Sequence, residues 1–145
     1  MCPTIKNSTI NAATANQLIN DVCAYAQQKG WLIGVAVVDP SGDLIAALKM
    51  DGTIAEGLSF AVDKAYTAAR LKRTTEDLWQ AAEDKPFLQA GLSNRQRLLV
   101  FPGGLPIYAG QEMIGAIGIS GAKSHEDIET AIYVLNQAGF NYQAS

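Results

Sequence analysis

One histidine and two cysteines are the whole supply of imidazole and thiolate metal ligands in these 145 residues. A single histidine, His125, excludes a histidine-rich metal site. Cys2, at the N-terminal end, and Cys23, inside a predicted helix, fall short of the roughly four paired ligands of a zinc site. No apolar run approaches the ~20 residues of a membrane span, and the opening Met-Cys-Pro-Thr lacks the hydrophobic region of a signal peptide. The expected setting is cytoplasmic, with no membrane partner, and two cysteines suit a reducing compartment. Positive charge is also short: 11 basic residues face 14 acidic ones, for a net charge of −3 and a pI near 5.0. Only Arg70, Lys72 and Arg73 cluster, which is the wrong footprint for a nucleic-acid partner. Serine nucleophiles have no evident histidine–carboxylate partner. The Glu126-Asp127 pair falls in a helix first turn, where compensation of the helix dipole accounts for it. With no repeat, low-complexity tract or linker, residues 1–145 read as a single domain.

What is present is a core. Apolar residues make up 48% of the chain, and a domain of this length buries about 70% of its unfolded surface. Ala15, Leu18, Ile19, Val22 and Ala26 follow helical spacing and predict a helix from Ala12 to Lys29, stopped by Gly30. Ile33 to Val38 is a β-branched run, Asp39-Pro-Ser-Gly-Asp43 is turn chemistry, and Leu44 to Met50 completes a hairpin. Ala55 to Arg73 predicts a long helix whose inner stripe (Leu58, Ala61, Ala65, Ala68, Ala69) is small enough for close packing. Thr75 is the expected N-cap of a short helix carrying Leu78, Trp79 and Ala82. Asp84 to Asn94 reads as irregular, with Phe87 and Leu88 plugging the core edge. Arg97 to Phe101 reads as a third strand, interrupted by Pro102-Gly103-Gly104-Leu105-Pro106. Ile107 to Ala109 and Met113 to Ser120 form a last hairpin around Gly110-Gln111. A final helix starts at Ser124, with Asp127 at its third position, and stops at Gly139. Five strands joined by tight turns predict an α+β fold with a mainly antiparallel sheet covered by helices on both faces.

Among candidate functional residues, Lys64 stands first. At 100° per residue it lies about 60° from Ala61, at the border of the apolar stripe. There it can grip a carboxylate or, with a lowered pKa, attack a carbonyl. It can equally be a snorkelling surface lysine or half of a structural ion pair, with Asp51 a possible carboxylate partner. Pro102, Gly103 and Gly104 can present N–H groups as an anion nest, or simply link two strands. Gly118, Ser120 and Gly121 precede a helix N-terminus that favours anions, or they let the small-faced helix pack closely. Gly121-Ala122-Lys123-Ser124 has neither phosphate-loop nor dinucleotide-binding spacing.

Three segments together carry a family resemblance: Val37-Val38-Asp39 with Gly42 and Met50-Asp51-Gly52; Asp63-Lys64-Ala65-Tyr66-Thr67-Ala68-Ala69; and Pro102-Gly103-Gly104-Leu105-Pro106-Ile107 followed by Gly115-Ala116-Ile117-Gly118-Ile119-Ser120-Gly121-Ala122. In this order they resemble the GlcG/HbpS family, which includes the C-terminal domain of PduO-type cobalamin adenosyltransferases. The resemblance implies a profilin-like three-layer α/β/α fold with a five-stranded sheet, self-association into a homo-oligomer, and haem as a ligand of some members. Haem-binding members use a histidine near the N-terminus or first helix; here the first helix carries Cys23 and Tyr25 but no histidine, and these two either ligate iron, as such side chains do elsewhere, or pack at the core edge. The expected function is binding of a small anionic ligand, haem or another tetrapyrrole, through Lys64, Asp51, Pro102, Gly103, Gly104, Ser120 and Gly121. The alternatives are an enzyme of small carbonyl, hydroxy-acid or diol metabolism that uses Lys64, and a structural oligomerisation module. Self-association is also expected because Trp31, Trp79, Phe87 and Tyr108 fall near the ends of predicted elements.

Overall fold

In the computed structural model, which describes residues 2–144, the first helical pattern becomes α1, Ala12–Lys29. The Asn11 side chain accepts the Thr14 N–H at 2.8 Å and caps its start, and Gly30 ends it at φ +76°, a left-handed position that glycine takes without strain. Strands β1, Gly34–Val38, and β2, Leu44–Lys49, pair antiparallel. One carboxylate oxygen of Asp39 holds the turn between them, accepting the N–H groups of Ser41 and Asp43 at 2.8 and 3.0 Å.

Helix α2, Gly57–Leu71, follows, then α3, Thr75–Ala82, α4, Pro86–Ser93, and the hairpin of β3, Gly104–Ala109, and β4, Glu112–Ser120. Helix α5, Ser124–Gln137, completes the chain. The sheet has four strands in the order β2-β1-β4-β3, every neighbour antiparallel. Its two faces bury different kinds of residue. Val35, Val37, Ile117 and Ile119 meet Leu18, Ile19 and Val22 of α1 and Val134 and Leu135 of α5. Ala36, Val38 and Ala116 meet the alanines of α2 (Ala61, Ala65, Ala68 and Ala69), with Val62 packed at the edge. The layers are therefore α2, sheet, and α1 with α5.

Four strands, not five, is a correction with a physical cause. Arg97 to Phe101 forms no strand because its backbone is satisfied elsewhere. Thr67 Oγ1 accepts the Leu99 N–H at 2.9 Å and lies 3.2 Å from the Arg97 carbonyl, while Arg97 adopts φ +70°, outside the conformation of a regular strand. The expected interruption at Gly104 to Pro106 is instead the start of β3. Asp84 to Asn94 is not irregular: Pro86 occupies the first turn of α4, where its missing N–H is not needed. Phe87 is 71% exposed and plugs nothing. Thr74, not Thr75, caps α3, accepting the Asp77 N–H at 3.0 Å. The third position of α5 is Glu126, whose carboxylate takes the Lys123 N–H at 3.0 Å. No helix among the described residues is long and apolar enough to cross a membrane.

Candidate functional site

Two glycines decide how deep Lys64 lies. A Cβ on Gly118 of β4 would overlap the Ala61 carbonyl, and one on Gly104 would overlap that of Lys64. Without those Cβ atoms α2 settles directly onto the strand backbones, and Lys64 is carried in with it to 2% exposure. Its ammonium donates to the Ile119 carbonyl at 2.8 Å and lies 3.4 Å from Asp127 Oδ2. Asp127, equally buried, accepts the Ala122 N–H at 3.2 Å through its other oxygen. The pair thus staples α2 to the end of β4 and to the first turns of α5. Burial lowers the Lys64 pKa, against the pull of Asp127. Burial raises that of Asp127 to about 6, outweighing the Lys64 charge and the Ala122 hydrogen bond.

The Pro102-Gly103-Gly104 turn lies on this pair. Gly103 adopts φ +124°, and a Cβ there would stand 2.5 Å from the Ile119 carbonyl oxygen and 3.0 Å from Lys64 Nζ. Its carbonyl accepts the Ile119 N–H at 3.0 Å. Gly104 is not free to act as a nest donor, since its N–H goes to Thr75 Oγ1 at 3.0 Å. The Gly103 N–H makes no hydrogen bond to the described residues.

Above Gly103, Gly104 and Leu105 opens a cleft of about 240 Å³. Ile128 and Ile132 of α5 wall one side, Thr74, Glu76 and Asp77 at the start of α3 the other, and Tyr142 joins from beyond α5. The remaining expected residues lie apart from it. Gly121, with Gly52, borders a separate open depression beside Trp31, Leu32 and Ile54. Ser120 is buried at the end of β4, opposite Gly34. Asp51 sits exposed in a turn, and the carboxylate partner of Lys64 is Asp127.

Of the other candidates, His125 is exposed in the first turn of α5. Tyr25 donates its hydroxyl to Glu129, which pushes the phenol up to about 12, and its ring stacks on Tyr133 at 4.4 Å. Burial raises the Cys23 thiol. Both residues pack at the core edge. Among the described residues, no group of three or more His, Cys, Asp or Glu could hold a metal ion.

Sequence reasoning missed Asp127 and Tyr142. For Asp127 a signal existed: with Thr130, Ala131 and Val134 it occupies positions i, i+3, i+4 and i+7, the buried face of α5. For Tyr142, beyond the last helix, there was none.

A family model described as haem degrading protein, HbpS-like, matches residues 10–136. An uncharacterised 15.0 kDa protein from the dhaT-dhaS intergenic region of Citrobacter freundii is 32% identical over 129 residues, 86% of this chain and 91% of that protein. Protein GlcG of Escherichia coli K12 is 31% identical over 97 residues, 66% of this chain and 69% of GlcG. The solved structure of a PduOC:haem complex superposes with a TM-score of 0.87 at 24% identity, covering 93% of this chain and 99% of that one. On the family match and these relatives, the chain belongs to the HbpS-like family.

Proposed function

We propose that this chain is a small-molecule-binding domain whose ligand is haem or another carboxylate-bearing tetrapyrrole, held in the cleft over Gly103, Gly104 and Leu105. The observation that carries the reading is a glycine floor without side chains beside an apolar wall of Ile128 and Ile132. A flat apolar ring needs an open face of this kind, and a few fixed polar groups to orient it. The Gly103 N–H and the Lys64 ammonium beneath it favour a carboxylate at the floor, with Pro102 setting the turn. Asp127 takes up much of the lysine charge, so this attraction is modest. Glu76 and Asp77 repel carboxylates from the α3 side. HbpS-like relatives and the PduOC:haem complex support haem as the candidate.

The residues offer such a ligand one apolar wall, glycines at the floor and a backbone donor, against a polar wall of Thr74, Glu76 and Asp77. The cleft is smaller than the roughly 300–1,000 Å³ of sites that enclose a drug-sized ligand. A ring held here therefore extends past the cleft. Bound haem would bring its iron's ligand and redox chemistry; the chain's own part is to orient the ring and exclude water from one edge.

The enzymatic alternative has one observation in its favour, the burial-lowered pKa of Lys64. Against it, the ammonium is sealed by Asp127 and the Ile119 carbonyl, so any reaction at Nζ requires α5 to move. Absorption titration with haem, comparing the wild type with Ile128→Glu, tests the binding reading. A carboxylate on the apolar wall is expected to weaken binding at least tenfold, about 1.4 kcal/mol, with an unchanged circular dichroism spectrum. Equal affinity in the two proteins would remove the cleft from the account.

A further inference from the structure

The Gly103 cleft has two poles of opposite sign, and the ring reading uses only one of them. Glu76 and Asp77 line it from α3. Their place in the first turn of that helix suits its dipole. Neither carboxylate has a hydrogen-bond or ionic partner among the described residues; Arg73 donates to the Asp77 carbonyl and not to its carboxylate.

At the floor the sign is reversed. Gly103 is buried, and its N–H has no acceptor among the described residues. A buried donor in that state is costly unless water or a ligand meets it. Beneath it lies the Lys64 ammonium, paired with Asp127. Leu105, Ile128 and Ile132 add apolar surface to the same lining. The volume of about 240 Å³ limits the occupant: at ~30 Å³ for each water-sized unit, it holds about eight.

We propose that the cleft binds a small amino carboxylate whose charged groups stand at opposite ends of a short hydrocarbon chain. The carboxylate accepts the Gly103 N–H above Lys64, the chain lies on Ile128 and Ile132, and the ammonium meets Glu76 and Asp77. The floor and the α3 wall are separate surfaces of the cleft, which suits separated charges. The acidic pole is the stronger one, because Asp127 compensates Lys64 while Glu76 and Asp77 are uncompensated. The ammonium therefore contributes more than the carboxylate. Asp77 is exposed and Glu76 half-buried, so water weakens both charges and the expected affinity is millimolar. The assignment does not rest on the tetrapyrrole reading; it concerns what the enclosed volume holds by itself.

Amide chemical-shift titration of isotope-labelled protein with 6-aminohexanoate, hexylamine and hexanoate tests this. The wild type should bind 6-aminohexanoate most tightly, hexylamine next and hexanoate least, with shifts at Gly103, Leu105 and Ile132. Glu76→Gln with Asp77→Asn should weaken 6-aminohexanoate about fivefold, the scale of a solvent-exposed ion pair, and bring it level with hexanoate. If that double variant fails to fold, the wild-type ranking decides alone. Hexanoate binding the wild type as tightly as 6-aminohexanoate would overturn the assignment and favour a ligand read by its carboxylate only, as the tetrapyrrole reading requires. An unmoved Gly103 amide with all three compounds would also overturn it, and the haem titration would still decide the tetrapyrrole reading separately.

Discussion

Lys64 and Asp127 show what a buried charge does to stability. Each is 2% exposed, and each is the other's only ionic partner among the described residues. Removing one leaves the other charge unpaired in the interior, a change that destabilises by about 3–5 kcal/mol. Lys64→Met should accordingly melt roughly 10 °C below the wild type, and Lys64→Met with Asp127→Leu should recover most of that loss. A single variant with an unchanged melting temperature would contradict the pairing. The acid side of the stability curve carries a second signature. Because burial raises the folded-state pKa of Asp127 to about 6 from an ordinary 3.8, its contribution is present below pH 4 and is lost as pH rises through 6. Relative to the double variant, the wild type should lose on the order of 2 kcal/mol between pH 4 and 6. Helical geometry sufficed to put Lys64 at the margin of an apolar stripe. Its partner was not legible from local sequence, because the ion pair joins α2 to α5 across 63 positions.

Elements with local signals were legible. Helix α1 has its bounds written in Asn11 and Gly30, and the first hairpin in Asp39 and Gly42, whose requirements are met by neighbouring backbone. Elements defined by tertiary contacts were not. Leu98 to Phe101 has strand-like composition, yet its partner is a threonine on α2 and not a strand. Helix α4 shows only a weak apolar periodicity, because none of its residues is fully buried and only Leu88 and Leu92 mark an inner face. That failure points to an interaction surface. Trp79 and Phe101, about half exposed, line an apolar groove with Leu98, Leu99 and Val100, to which α4 adds Leu92, and Phe87 of α4 is itself largely exposed. Uncovered apolar area of this kind commonly marks a contact site, and it agrees with the self-association expected from the sequence. Sedimentation at micromolar concentration should give a mass well above 15.4 kDa, and Phe87→Ser with Phe101→Ser should lower it. A wild type that sediments only at 15.4 kDa would contradict this.

At the scale of the whole molecule, the glycines of β3 and β4 connect packing to site. They let α2 sit against the sheet and carry Lys64 under the turn at Gly103. The expected set of site residues splits accordingly. Lys64, Pro102, Gly103 and Gly104 gather around one place, while Asp51, Ser120 and Gly121 lie away from it, since the sequence could rank anion-friendly turns but not say which share a cleft. The central claim is that the ligand occupies the Gly103 cleft. Amide chemical-shift mapping of isotope-labelled protein during titration with iron-free protoporphyrin IX tests this most directly, because the diamagnetic ring shifts only nearby resonances. The account predicts the largest changes at Gly103, Gly104, Leu105, Ile128, Ile132 and Tyr142. Changes concentrated at Tyr25 and Tyr133, or along the groove from Trp79 to Phe101, with the Gly103 amide unmoved, would contradict it.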